Sequence, residues 1–181
     1  MSSSPTVLGR LRSAHGSTGA GLYAAVLTLL TLSVVGLLGL LSHLPWLFPS
    51  LGPTVMLFFE SPEQPSARPV NTLVGHGVGL VAGVACFYAF GIDHRAAAPV
   101  GGIEPVHVLA AAMSVAVTTL VLTLIRLPHP PAGATTLIVS LGILHTPMQF
   151  TVMAAAVVLL TALGWGANVL LGTKPARART R

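Results

Sequence analysis

The sequence predicts an all-α, polytopic membrane protein, and its composition and its long apolar stretches are the observations that predict it. Of the 181 residues, 53% are hydrophobic and only 7% are charged, whereas a soluble domain carries about 25% charged residues. Four apolar stretches reach the length of about 20 residues that a bilayer-spanning helix needs. They run approximately over 22–44, 70–92, 105–127 and 148–171. So few charges could not cover a water-facing surface, which excludes a soluble enzyme.

The basic residues predict the orientation of the chain. Six of the nine lie near its ends, namely Arg10, Arg12, Lys174, Arg177, Arg179 and Arg181. Basic residues that flank apolar helices mark the cytoplasmic side, so we expect a multi-pass protein of the cell membrane with both termini in the cytoplasm. The corresponding domain organisation is an N-terminal tail over 1–20, a transmembrane domain over 21–172 and a basic tail over 173–181. Nucleic acid is not an expected partner.

Two shorter apolar segments, approximately 45–59 and 130–145, are the most informative part of the sequence. As helices they would extend only about 20–24 Å, against a hydrocarbon core of about 30 Å. Both begin with prolines, which end a preceding helix and suit the first turn of a new one. We therefore predict half-helices with an extended lead-in. Whether they cross the membrane or re-enter it stays open, and the distribution of arginines favours crossing only slightly.

An internal repeat is predicted from an offset of 81 positions. At this offset the pattern Pro49-x-x-Gly52-x-Thr54 falls on Pro130-x-x-Gly133-x-Thr135. The halves, about 22–92 and 104–171, each contain a long helix, a short Pro/Gly-initiated helix and a second long helix. Interrupted helices at corresponding positions of two repeats indicate the binding site of a transporter.

The starts of the two short helices are the predicted substrate site. A helix N-terminus has free N–H groups and about half a positive charge, which favours a small anion. The residues expected to form the site are Leu51, Gly52 and Thr54 in the first half and Pro130, Pro131, Ala132, Gly133, Ala134 and Thr135 in the second. The amides at 132–135 and 51–54 are expected to bind the anion, with hydroxyls from the two threonines.

Four further polar residues are candidates for the site. His129 either caps a backbone carbonyl or offers a proton to the substrate, and the equivalent position in the first half is Phe48, so the turn does not require an imidazole. Arg126 either binds substrate or extends to the membrane interface. Asn71 and His76 either hydrogen-bond between helices or line the substrate path.

The acidic residues argue against a cation as substrate. All four, Glu60, Glu63, Asp93 and Glu104, lie in the predicted connections or at their edges, so no carboxylate is expected inside a membrane helix. The single cysteine, Cys86, permits no multi-cysteine metal site. We expect no metal and no cofactor.

At these motifs the chain resembles the HPP family of integral membrane proteins. The resemblance covers about 40–171 and depends on HPPAGAT at 129–135 and on LGPTVMLFFESPEQPSARPVNTLVGH at 51–76. The chain departs from the family pattern at Pro53, where alanine is more frequent, and at Val74, where glycine is common. Certain plant and cyanobacterial members are regarded as nitrite transporters, so the resemblance implies a small anion as substrate.

The sequence therefore predicts a transporter or channel-like facilitator of a small anion, with nitrite as the leading candidate and the lipid bilayer as its surroundings. A homo-oligomer stays open. The alternative is a non-transporting membrane subunit that scaffolds or regulates a partner. In that case Gly75, Gly79 and Gly83, which repeat every four residues, would form a docking face. A membrane-embedded enzyme would need a nucleophile or metal that the sequence does not provide.

Overall fold

The computed structural model describes residues 6–173, where every regular element is a helix and no strand occurs, which confirms the predicted fold class. The helices are α1 (Val7–Ser42), α2 (Leu51–Glu60), α3 (Pro69–Ala89), α4 (Ala98–Gly101), α5 (Pro105–Leu124), α6 (Ala132–Ser140) and α7 (Pro147–Leu170). The long helices α1, α3, α5 and α7 are apolar enough to cross a membrane. Most of the basic tail predicted for 173–181 lies outside the described residues.

Proline begins three of the long helices. Pro69, Pro105 and Pro147 are the first residues of α3, α5 and α7. A proline suits this position because its missing N–H would have no partner in the helix and its φ angle already matches the helix. At the start of α7 the Gln149 amide also donates to the Thr146 hydroxyl over 3.3 Å. These starts agree with the sequence pattern to within one residue of 70, 105 and 148.

The first helix begins earlier than its apolar stretch, at Val7 instead of near residue 22. The Thr6 side chain caps it by accepting a hydrogen bond of 2.9 Å from the Gly9 amide, which explains the early start. The backbone breaks at Gly16, whose φ of 59° suits a residue without a Cβ. Much of the predicted tail over 1–20 is therefore a helical extension with a kink.

A glycine stripe on α3 brings this helix close to α6. A Cβ on Gly79 would lie 2.7 Å from the Ala132 carbonyl oxygen, and one on Gly83 would lie 2.9 Å from Cβ of Val139. Real side chains essentially never approach so closely, so the stripe permits this helix pairing. Because the stripe packs against another part of the same chain, this face is already covered.

A corresponding close contact joins α7 to α2. A Cβ on Gly164 would lie 2.6 Å from the ring of Phe58, and the Asn168 side chain donates a hydrogen bond of 2.7 Å to the Phe58 carbonyl. Each short helix therefore packs against the last long helix of the other half of the chain. This arrangement directs the starts of both short helices toward α3.

We predict that Gly79→Ala destabilises the protein whereas Gly77→Ala does not. The first change places a methyl group against the α6 backbone, and overpacking of this kind typically costs about 1–3 kcal/mol. Gly77 lies on the same helix with open space around it. The measurement is thermal unfolding in detergent, followed by a thiol-reactive fluorophore at the buried Cys86. Equal melting temperatures for the two variants would contradict the close α3–α6 contact.

Candidate functional site

The buried imidazole of His76 on α3 joins the starts of the two short helices. Its Nε2 lies 2.8 Å from Oγ1 of Thr54, and its Nδ1 lies 2.6 Å from Oγ1 of Thr135. The ring is 3% exposed and both threonines are fully buried. Thr54 and Thr135 are each the fourth residue of their helices. The two predicted half-helix starts thus come together, one imidazole ring apart.

The hydrogen-bond partners fix the direction of this chain of polar groups. The Thr54 hydroxyl donates to the Ser50 carbonyl over 2.9 Å, so toward His76 it acts as the acceptor. A neutral imidazole has one N–H and one lone pair. Nε2 of His76 therefore carries the hydrogen, and its Nδ1 accepts from the Thr135 hydroxyl. The donors run in one direction from Thr135 through His76 to the Ser50 carbonyl.

His129, the second histidine of the site, lies against the first. The two ring centroids are 4.8 Å apart in an edge-to-face arrangement. Nδ1 of His129 lies 2.9 Å from the Ser66 carbonyl oxygen, which can only accept, so Nδ1 carries the hydrogen. Its Nε2 then has a lone pair and has no hydrogen-bond partner among the described residues, although the side chain is 2% exposed. His129 therefore does cap a backbone carbonyl, that of Ser66, and its Nε2 remains without a hydrogen bond within residues 6–173.

Two residues of α3 hold the connection that contains His129. The Asn71 side chain donates a hydrogen bond of 3.0 Å to the Pro128 carbonyl. Gly75 lies so close to His129 that an added Cβ would be 2.6 Å from the histidine Cβ. Asn71 thus serves as a tether between α3 and the connection before α6. The absence of a side chain at Gly75 makes room for the imidazole.

The backbone amides at the helix starts differ from the expectation. Those of residues 132–134 donate to the carbonyls three positions earlier over 3.0, 3.0 and 3.1 Å, and the Thr135 amide lies 3.5 Å from the Pro131 carbonyl. In the first half the Leu51 amide donates to the Phe48 carbonyl over 3.0 Å. The prediction of free amides is therefore wrong for Leu51 and for residues 132–135. Tight turns before each helix satisfy amides that a plain helix start would leave unpaired.

The other predicted site residues fall into three groups. Arg126 is exposed with a φ of 58°, and within residues 6–173 no hydrogen bond joins its side chain to His76 or His129. Gly52 and Gly133 are half-buried, and an added Cβ at either would meet no atom within 4 Å. The remaining residues lie at the two helix starts. Pro130 is exposed, and the others are buried or half-buried, namely Leu51, Pro131, Ala132 and Ala134.

Two cavities lie beside the histidine pair. The first, of about 260 Å³, lies among α3, α6 and α7, and its polar lining side chains are His76 and Thr135. The second, of about 350 Å³, lies between α5 and the start of α6 and is lined by His129, Gly133 and several threonines. No residue lines both cavities. His76 lines the first cavity, His129 lines the second, and their rings contact each other.

Sequence reasoning missed two contributions to the site. The Ser66 carbonyl orients His129, and a backbone group leaves no signal in a sequence. Thr118 on α5 lies on the wall of the second cavity, with its hydroxyl 3.0 Å from that of Thr136. Nothing in the sequence singled out Thr118, because threonine is common in apolar helices. Among residues 6–173 no group of three or more His, Cys, Asp or Glu side chains is placed to hold a metal ion.

Comparison with known proteins identifies the family. The family model described as HPP, transmembrane region, matches residues 13–176, which confirms the resemblance inferred from the two motifs. The comparisons with curated proteins and with solved structures gave no match.

We predict opposite tautomers for the two histidines at neutral pH. Nε2 of His76 should carry its hydrogen because Thr54 can only accept there, and Nδ1 of His129 should carry its hydrogen because it faces a carbonyl. Nitrogen-15 NMR of histidine-labelled protein distinguishes the two forms. The Thr54→Val variant should shift the His76 signals much more than those of His129. The same tautomer at both residues would refute the hydrogen-bond directions given above.

Proposed function

The chain belongs to the HPP transmembrane family, and from that premise we propose that it transports, or facilitates the passage of, a small anion across the membrane. Nitrite is the leading candidate. The observation that carries the proposal is the meeting of the starts of α2 and α6 at His76, through Thr54 and Thr135. No chemical conversion of the substrate is proposed.

The charge distribution favours an anion over a cation. Each of the two short helices directs the positive end of its dipole, equivalent to about half an elementary charge, toward the histidine pair. The helices α1, α3, α5 and α7 contain no Asp or Glu, and Glu60 is the last residue of α2, at the end away from the pair. The paired amides still contribute to the dipole, although they are not free donors. The dipole argument for an anion therefore does not depend on free amides.

The two cavities supply space for a small anion on either side of the histidine pair. Water has a share of about 30 Å³ per molecule in the liquid, so cavities of about 260 and 350 Å³ have enough volume for a triatomic anion. Passage from one cavity to the other requires His76 and His129 to move apart or to exchange partners. We propose that the pair acts as the barrier between two access routes.

An internal two-fold repeat is part of this proposal. The short helices begin at Leu51 and Ala132, 81 positions apart. The contact of Gly83 with Val139 recurs 81 positions away, with the halves exchanged, as the contact of Gly164 with Phe58. Paired contacts of this kind support a repeat because they involve the same offset as the sequence pattern. Two halves that exchange their last helices are suited to rocking about a shared site.

We further propose that the protein lies in the cell membrane with both termini in the cytoplasm, as the basic residues indicate. A homo-oligomer remains compatible with the exposed apolar surface. The alternative, a non-transporting subunit, depended on the glycine stripe as a docking face. Gly75, Gly79 and Gly83 instead contact His129, α6 and Val139 of the same chain, so no observation favours that alternative.

The proposal is tested by uptake of nitrite into liposomes that contain the purified protein. We expect uptake well above that of protein-free liposomes, and an initial rate about tenfold lower for Thr135→Val. Loss of one buried hydrogen-bonding group costs about 1–3 kcal/mol, and 1.4 kcal/mol corresponds to a factor of ten.

The matched control is Thr151→Val, which makes the same change at an exposed hydroxyl on α7 that donates to the Pro147 carbonyl. Its uptake should equal that of the wild type. If the wild type is no faster than protein-free liposomes for nitrite and for a panel of other small anions, the transport proposal fails. A normal rate for Thr135→Val would remove that hydroxyl from the path.

A further inference from the structure

We propose that an anion occupies the histidine pair only together with one proton, which is taken up at Nε2 of His129. The inference rests on the proposed function and names its coupling ion. It follows from an account of every hydrogen-bond donor among the four side chains that meet at the site.

While both imidazoles are neutral, the four side chains of Thr54, His76, Thr135 and His129 offer no free hydrogen-bond donor. The Thr54 hydroxyl donates to the Ser50 carbonyl, and His76 donates to Thr54. The Thr135 hydroxyl donates to His76, and His129 donates to the Ser66 carbonyl. An anion needs donors to replace those of water, because burial of an unpaired charge is very costly. These four side chains therefore offer an anion no donor while both imidazoles are neutral.

The free nitrogen of His129 does not supply the missing donor. His129 lines the second cavity, and its buried Nε2 adds one more acceptor to the site and no donor. Addition of a proton at this nitrogen reverses this, since the ring then has an N–H donor and a full positive charge. No existing hydrogen bond must break, because Nδ1 keeps its bond to Ser66. Protonation of His76 would instead require Thr135 to give up its role as donor.

One proton per pair is the expected stoichiometry. With centroids 4.8 Å apart, two charged imidazoles would repel each other strongly in apolar surroundings. The groups that face His129 from α5, α6 and the turn before α3 are threonines, glycine and the Ser66 carbonyl. The cations nearest to it in sequence are Arg126 on the same connection and Arg68 after Ser66.

The proton and the anion then move as a neutral pair. The proton comes from the solution on the side of entry and leaves with the anion on the side of exit, so no covalent bond changes. A net-neutral unit avoids most of the cost of placing a charge in a low-dielectric interior. Transport should therefore be driven by a proton gradient and be insensitive to membrane potential.

The experiment measures initial rates of nitrite uptake at two imposed gradients, each corrected for protein-free liposomes because nitrous acid crosses lipid unaided. In the first, the interior is one pH unit more alkaline and the potential is clamped at zero with valinomycin and equal potassium. In the second, the pH is equal and valinomycin sets an inside-positive potential. We expect the wild type to respond to the first gradient only. One-to-one coupling corresponds to about tenfold accumulation per pH unit at equilibrium.

The key variant is His129→Asn, whose side-chain amide can still donate to Ser66 but which has no titratable nitrogen. We expect it to lose the response to the pH gradient. His94→Asn, at an exposed histidine between α3 and α5, makes the same change away from the site and should respond like the wild type. A pH response that persists in His129→Asn would overturn the role of this residue.

A second measurement needs no variant. When nitrite binds to the wild type in weakly buffered detergent solution, the pH should rise by the equivalent of about one proton per protein. Nitrite binding without binding of a proton would overturn the coupling but not the proposed transport. The same holds if nitrite transport responds to the membrane potential and not to the pH gradient. If the wild type shows no uptake in either arm, the proposed function fails and this inference fails with it.

Discussion

The hydrogen bonds of one buried imidazole hold the architecture of the site together. In an apolar interior each polar group must find a partner, because an unpaired one costs about 1–3 kcal/mol. Thr54 and Thr135 satisfy the two ring nitrogens of His76 at once, and His76 is the acceptor for the Thr135 hydroxyl. Two short helices that are separated widely in sequence are thereby fixed at a single point on α3. If His76 moved, both hydroxyls would lose their common partner, so neither helix start can move independently of the other.

The position of this imidazole depends in turn on how closely the helices approach. Glycines along α3 allow the backbone of α3 to approach α6 closely. An added Cβ at Gly79 or Gly83 would lie less than 3.0 Å from an atom of α6. Gly75 extends the same stripe to the level of His129, where a larger residue would displace the ring. The same face of α3 therefore determines both how closely α6 packs and where the His129 ring lies. In an environment without a hydrophobic force between helices, close van der Waals contact of this kind is a main source of cohesion.

Much of the fold could be predicted because it depends on local patterns. The lengths of the apolar stretches and the prolines at 69, 105 and 147 located three of the four long helices. The early start of α1 was missed because a threonine cap outweighed the polarity of the leader. The candidate site was only partly predictable. The sequence indicated His76 and His129 separately, but their contact depends on tertiary packing, and the pairing of the amides at 132–134 depends on turn geometry.

The pairing of those amides alters the physical picture of selectivity. A pocket of free N–H groups would bind any small anion at any pH, and it would hold the anion firmly. A site whose side-chain donors are committed to internal acceptors offers an anion fewer donors until its hydrogen bonds or its charge change. His129 is the group in the cluster that can make this change without disturbing another bond. In the proposed mechanism the helix dipoles add a constant bias toward negative charge, while protonation of His129 determines when an anion can enter.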